Sequence, residues 1–262
     1  MRKRSKFAVL IAVLLISALA VTMRMPGAEA QPVLSAWALT PPTINGILEL
    51  GEWAGADSIS FKTSLGESGV LYMMNDEENL YLAIAIQDDD WNSPLDRVVF
   101  YFDNDNDGTG PEQGDDQIAA MGASLPYDGY ANFEPLLAWR TDPILDVEAA
   151  GTGSGGTNYF ELSHPLNSTD DDHDFSLSFG DTIGFTLKYK DENAGNGWWP
   201  TSYLVPENFA KILVASSSPA PVGGVILPVD TLALLAPYIA LLVAIAAAAI
   251  GVTVALRDRS LF

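Results

Sequence analysis

Apolar residues in the middle of the chain come in short runs, broken by turn formers and spaced closer to every second position than to a helical period. Residues 34–39 predict a first strand that Pro41-Pro42 ends, and Asn45-Gly46 marks a tight turn because both residues tolerate positive φ. Glu49, Glu52 and Trp53 have helix-like spacing, over a segment long enough only for a helical turn. Residues 59–63 and 70–74 predict strands, and the polar stretch 75–79 turns the second of them back into residues 80–87. That last run, LYLAIAIQ, is apolar on both faces, which places it centrally in a sandwich. Residues 97–102, 118–121, 131–140, 146–149, 159–163, 182–190 and 209–214 continue the pattern, and Gly197-Trp198-Trp199-Pro200 reads as an aromatic turn. The fold class predicted is all-β, a jelly-roll or immunoglobulin-like β-sandwich.

The chain ends read differently. Arg2, Lys3, Arg4 and Lys6 precede an apolar run at 7–21, and Ala28-Glu29-Ala30 has the small-x-small form of a cleavage site, so residues 1–30 predict a signal peptide. Residues 31–214 form the domain, and 215–230 form a linker in which Ser216 to Pro221 make a semi-extended spacer. Residues 231–256 carry no charge. At about 1.5 Å per helical residue they are long enough to cross a hydrocarbon core of roughly 30 Å. Arg257 and Arg259 follow, so the positive-inside bias makes 257–262 a cytoplasmic tail and the protein a single-pass type I membrane protein with its domain extracellular.

Charge narrows the partners. Between residues 31 and 224 the six bases Lys62, Arg97, Arg140, Lys188, Lys190 and Lys211 meet 31 acids, a net charge of −25. Such a surface repels nucleic acid and anionic lipid and attracts cations. A solubility adaptation to high salt accounts equally well for most of the carboxylates. With no cysteine there is no disulfide, thiolate site or thiol nucleophile.

The acids are densest in FDNDNDGTGPEQGDDQI, residues 102–118. Asp103, Asp105 and Asp107 alternate before Gly108, a carbonyl near Thr109 follows, and Asp115 or Asp116 closes the far side. Oxygen ligands at alternate positions ahead of a flexible glycine suit a Ca²⁺ ion, and five Asp within fourteen residues repel one another without a cation. Gly114 occupies the position where an EF-hand has its bidentate Glu, so the loop is not an EF-hand. The alternative is a solvated hairpin.

Sugar recognition needs an aromatic plane and planar polar groups. Trp198 and Trp199, beside Asp191, Glu192, Asn193 and Asn196, are the first candidates, and Trp91 next to Asp88, Asp89 and Asp90 is the second. Against this, Trp53 and Trp139 read as core, and one of Trp198 and Trp199 is expected to face inward. Enzyme readings lack parts: His164 and His173 are the only histidines, and no HExxH or G-x-S-x-G occurs. His173 reads as a solvated side chain in an acidic turn. Gly151, Gly153 and Gly156 match G-x-G-x-x-G, but a strand follows, so they read as a flexible hairpin loop. Asn167-Ser168-Thr169 is a glycosylation sequon.

Pro42-x-Ile44-Asn45-Gly46 with Glu49-x-x-Glu52-Trp53, Asp76-x-x-Asn79-Leu80-Tyr81-Leu82-x-Ile84, Asp96-x-Val98-x-Phe100-x-Phe102-Asp103, Phe160-Glu161 with Pro165-Leu166, and Phe175-x-Leu177-x-x-Gly180-Asp181 together resemble family 9 carbohydrate-binding modules and their DOMON-like relatives. The resemblance implies a jelly-roll sandwich, often with structural calcium, that binds glycans through aromatic side chains. Pro221-Val222-Gly223-Gly224, Pro228, Asp230 and the span beyond are similar to the C-terminal anchor of archaeal surface proteins. Relatives of the fold also include haem-binding electron-transfer subunits with Met or Lys ligands, which brings in Met73, Met74 and Met121. The reading favoured is a membrane-anchored extracellular binding module, calcium-stabilised and recognising carbohydrate, and not an enzyme. The alternatives are a structural or adhesive surface protein with calcium as its only ligand, and the haem domain.

Overall fold

The computed structural model describes residues 32–49, 51–133, 136–170 and 172–217. The predicted signal peptide, the linker from residue 218, the predicted transmembrane helix and the tail lie outside them. Among the described residues the chain forms fourteen strands, numbered in chain order, and a single 3-10 turn at Pro206–Asn208. They make two facing sheets, an all-β sandwich.

The larger sheet runs β1 (Val33–Leu34), β14 (Ala210–Leu213), β12 (Thr182–Asp191), β6 (Arg97–Asp103), β7 (Asp116–Met121), β8 (Leu125–Asn132) and β9 (Ala138–Thr141). β13 (Gly195–Trp199) pairs with the C-terminal half of β12, and β14 with its N-terminal half. The smaller sheet runs β10 (Glu148–Ser154), β11 (Thr157–Pro165), β5 (Asn79–Gln87) and β4 (Ser68–Asn75); β2 (Ala36–Trp37) and β3 (Asp57–Lys62) both pair with β4.

Alternation sorts the side chains. Val98, Phe100 and Phe102 of β6 and Phe185, Leu187 and Tyr189 of β12 point inward to meet Leu71, Met73, Leu82, Ile84, Phe160 and Leu162 of the smaller sheet. Residues 80–84 are buried on both sides because the irregular segment after β2 lays Trp53, Ala38 and Leu48 over Tyr81 and Ala83, and Gln87 at the strand's end is exposed. Glu161 of β11 holds that cover down: its carboxylate accepts the Trp53 indole N–H at 2.8 Å and the amides of Asn45 and Gly46 at 3.0 and 2.8 Å. Where the sequence suggests a helical turn, the Glu52 and Trp53 amides both donate to the Glu49 carbonyl.

Four local expectations change. The first strand is two, because the chain crosses from one sheet to the other at the buried Ser35. The strand expected over 131–140 is the end of β8 and the start of β9; β8 itself contains Pro126, Asp128 and Gly129, poor strand formers that pairing with β7 overrides. Gly197 to Trp199 lie in a strand and not in a turn. Gly151 and Gly153 lie within β10 and not in a hairpin loop; the turn itself is Gly155-Gly156, both at positive φ. A Cβ on Gly153 would sit 2.4 Å from that of Trp91, so the glycine makes room for the indole. The methionines that a haem reading needs are dispersed: Met73 lies between the sheets, Met74 under the Trp53 cover, and Met121 on the outer side of the larger sheet.

Candidate binding face and buried acidic centre

The outward face of the larger sheet carries an aromatic cluster. Tyr101 of β6 sits at its centre, with ring centroids 4.9 Å from Trp139, 5.5 Å from Trp198 and 5.1 Å from Tyr203. Alternation along β13 decides the fate of the tryptophan pair. Trp198 pairs across from Lys188 and faces outward, whereas Trp199 turns inward against Phe61 and Phe185. Trp139, expected in the core, belongs to the outer cluster. Trp91 packs on Phe160 at 5.6 Å, against the inner core. Asn196 is exposed, two residues from Trp198 on the same side of β13.

Beside the aromatics lies a shallow depression of about 200 Å³, floored by Val99 and Ala119 and walled by Arg97, Gln117, Tyr127 and Lys188. Lys188 Nζ donates to the Tyr101 hydroxyl at 2.7 Å and stands over the rings of Tyr101 and Trp198. No carboxylate lies within ion-pair distance of Lys188 or Arg97 among the described residues, although acids outnumber bases about fivefold in this domain. Burial, with Arg97 and Lys190 nearby, pulls the Lys188 ammonium down to about 8. Two further polar atoms on this face are buried without partners: the acceptor Gln117 Oε1 and the donor Trp139 Nε1.

In the acidic loop, Asp103, Asp105 and Asp107 each offer an oxygen, and these lie within 4.8 Å of one another. Asp103 also accepts the amides of Asp107 and Gly108, and Asp107 accepts that of Thr109 at 2.6 Å, while the Thr109 hydroxyl donates to Glu112. Asp115 is occupied separately, taking the Asn104 and Glu112 amides at 3.3 and 2.7 Å. Burial pushes Asp103 up to about 6 and Asp115 to about 7, against the pull of those amides. Asp116 points the other way, into the sandwich. The structure thus brings together three of the loop residues that the sequence put in one ligand set, and separates Asp115 and Asp116 from them.

Asp116 belongs to a buried acidic centre between the sheets. Asp128 of β8, Asp146 ahead of β10, His164 of β11 and Asp174 beyond β11 offer ligand atoms within 4.8 Å of one another, and Asp116 of β7 stands beside them. His164 Nε2 is 3.8 Å from Asp174 and 3.9 Å from Asp116, with all three side chains essentially fully buried. His164 Nε2, both oxygens of Asp116 and of Asp174, and one oxygen each of Asp128 and Asp146 lack any hydrogen-bond partner. Burial pushes Asp128 up to about 7 and Asp116 well above the carboxylate range. Burial also pulls on the His164 imidazole, but Asp174, Asp116 and Asp128 around it carry it up to about 9. None of the spacing rules applied to the sequence pointed to Asp128, Asp146, His164 or Asp174. The available signal was parity: His164 shares the inward side of β11 with Phe160 and Leu162, where a polar residue needs a reason.

No protein-family model matches this chain, and no curated protein matches it by sequence. Solved structures do match. A family 9 carbohydrate-binding module from Caldicellulosiruptor kristjanssonii in complex with cellotriose aligns over 72% of this chain and 97% of its own, at 16% identity and a TM-score of 0.50. Such a module from the same organism, in complex with glucose, aligns over 73% and 100%, at 15% identity and a TM-score of 0.51. A putative carbohydrate-binding protein from Bacteroides uniformis ATCC 8492 aligns over 70% and 98%, at 9% identity and a TM-score of 0.53. The fold is like that of a family 9 carbohydrate-binding module. At these identities the likeness is one of architecture, and the side chains that would touch a ligand are argued from this chain alone.

Proposed function

We propose that this chain is a membrane-anchored extracellular module that binds glycan on the outer face of its larger sheet, is stabilised by calcium, and acts by binding rather than catalysis. The observation that carries the reading is the face around Tyr101. In a domain of net charge −25 it gathers Trp139, Trp198 and Tyr203 with two cations that have no carboxylate partner among the described residues, an unpaired indole N–H and an unpaired amide oxygen. Aromatic planes match the apolar face of a pyranose, and the unpaired donors and acceptor match its hydroxyls. Structures of similar fold hold cellotriose and glucose, which supports the class of ligand.

A glycan array followed by calorimetry on the best hit tests this. Trp198→Ala is expected to weaken binding at least about tenfold, because a half-buried aromatic anchor contributes about 1.4 kcal/mol or more. Trp91→Ala, altering a core ring, is expected to lower stability and leave affinity per folded molecule unchanged. A blank array, or a Trp198→Ala variant that binds as well as wild type, would sink the reading.

The Lys188 ammonium gives a pH signature. Its proton is held less tightly in the folded protein than in the unfolded chain, so stability rises as pH climbs from about 8 toward the ordinary lysine value. Glycan affinity is expected to fall over the same window as the charged donor is lost. Measuring melting and binding together should show the two moving in opposite directions, and a flat affinity from pH 7 to 10 would remove Lys188 from the site.

Calcium is assigned to Asp103, Asp105 and Asp107, whose clustered oxygens support it; each amide accepted leaves a carboxylate capacity for a cation. Saturating Ca²⁺ at about 100 times its Kd would add about 2.7 kcal/mol. For a domain of this size that is a rise in Tm of roughly 5–10 °C. The gain should vanish in an Asp105→Asn/Asp107→Asn variant. No rise at millimolar Ca²⁺ would leave the loop as a solvated hairpin.

A further inference from the structure

We infer that the centre formed by Asp128, Asp146, His164 and Asp174, with Asp116 alongside, is a second metal site, built for a divalent ion that accepts an imidazole nitrogen, of the Zn²⁺ or Mn²⁺ class.

His164 Nδ1 lies 2.7 Å from the Pro165 carbonyl, which can only accept, so Nδ1 carries a proton and Nε2 is the atom facing the acids. Nε2 is fully buried and has no hydrogen-bond partner. Its nearest carboxylate oxygens are at 3.8 and 3.9 Å, too far for a hydrogen bond. His173, in the same protein, shows the contrasting case: its Nδ1 meets Asp170 at 3.1 Å and Asp142 at 3.3 Å, and its ring stacks on Tyr130. A histidine placed to pair with carboxylates closes on them, and His164 does not. Two ligands bonded at about 2.0–2.2 Å to one ion stand roughly 3–4 Å apart, which is the spacing seen around Nε2.

The carboxylates point the same way. Asp116, Asp128 and Asp174 are each nearly inaccessible, and they keep oxygens that no amide or hydroxyl satisfies. Left alone, these orphan acceptors and like charges are a severe burial cost, whereas a bound cation turns each into a bond. The loop carboxylates differ: Asp105 and Asp107 are exposed, only Asp103 is buried, and the set is all oxygen, which suits Ca²⁺. An imidazole nitrogen among carboxylates moves the preference toward Mn²⁺ and Zn²⁺. His164 belongs to the smaller sheet and Asp116 and Asp128 to the larger, so the ion would tie the two sheets together.

The test strips the full chain with chelator and titrates Zn²⁺, Mn²⁺ and Ca²⁺ separately, following bound metal and thermal unfolding. In an Asp105→Asn/Asp107→Asn background, which removes the loop site, one equivalent of Zn²⁺ or Mn²⁺ should still bind and raise the melting temperature. His164→Gln should weaken that binding by more than the roughly 10–100-fold that loss of an outer-shell partner costs. Pulsed EPR on the Mn²⁺-loaded wild type should show the nitrogen of a bound imidazole, a readout that survives if the His164 variant fails to fold. Failure of the Zn²⁺ and Mn²⁺ arms in that background, unchanged affinity in His164→Gln, or Mn²⁺ bound without a nitrogen signal would each overturn the assignment. None of these outcomes depends on whether glycan binds.

Discussion

Replacing Glu161 with Ala is expected to cost about 3–5 kcal/mol of stability, read as a fall in the denaturant midpoint with little change in slope. The carboxylate is fully buried and accepts three N–H groups, from Asn45, Gly46 and the Trp53 indole. Truncation strands all three, and each buried donor left unpaired costs about 1–3 kcal/mol. The backbone has no easy retreat: Gly46 is at φ +82°, and even a Cβ there would lie 2.9 Å from Gly151. Glu161→Gln is the sharper variant. One end of the amide can still accept, but its NH₂ must then face either the Asn45 and Gly46 amides or the indole N–H. Adding Trp53→Phe removes the indole side of that conflict. The double variant should therefore be no less stable than Glu161→Gln alone, apart from the smaller ring. If Glu161→Ala unfolds within about 1 kcal/mol of wild type, the carboxylate does not hold the cover. Burial raises the pKa of Glu161 above its unfolded value, so the native state binds the proton more tightly and the charge costs stability as pH rises through that window.

The parts of this protein that were legible in the sequence are those set by local alternation. LYLAIAIQ reads as a strand buried on both sides, and β5 is one from Leu80 to Ile84, where the cover on its second face is an irregular segment and not a third sheet. At Asn45-Gly46 the chain bends as expected, but only Gly46 takes the positive φ that both residues tolerate. What failed was whatever depended on non-local pairing. β8 carries Pro126, Asp128 and Gly129 and is a strand because β7 offers it a partner. One of Trp198 and Trp199 is expected to face inward from the sequence, and only their registry with Lys188 and Leu187 shows that it is Trp199. The buried acidic centre draws on residues from 116 to 174 across both sheets, so no motif spacing exists to find it.

β7 connects the two proposals. Asp116 points into the acidic centre, Gln117 lines the outer depression, Ile118 sits in the core and Ala119 floors the depression. One strand thus presents alternate residues to a candidate metal and a candidate sugar, about 3.3 Å of rise apart. An ion that fixes Asp116 would also fix the plane from which Gln117 projects. Glycan affinity measured with and without Zn²⁺ or Mn²⁺ would expose that coupling.

Asn75→Leu is expected to destabilise the domain by about 3 kcal/mol or more, and Asn75→Asp, although isosteric, by a comparable amount. Asn75 is fully buried where the chain crosses between sheets at Ser35 and just beyond the end of β14 at Leu213. Its Nδ2 donates to the carbonyls of Asp76 and Ala215 at 3.1 and 3.0 Å, and its Oδ1 accepts the Ala215 amide at 2.9 Å and the Ser35 hydroxyl. The side-chain amide is thereby used at both ends. Leucine fills the volume but leaves the Ala215 carbonyl and amide without this partner. Aspartate keeps the shape yet turns a second oxygen toward two carbonyls, so it must either protonate or repel them. The pair separates the two causes by pH. Asn75→Asp should regain stability on acidification, because its buried carboxyl binds a proton more tightly folded than unfolded, while Asn75→Leu should not. Equal pH profiles for the two variants would mean that Asn75 contributes volume and not its hydrogen bonds.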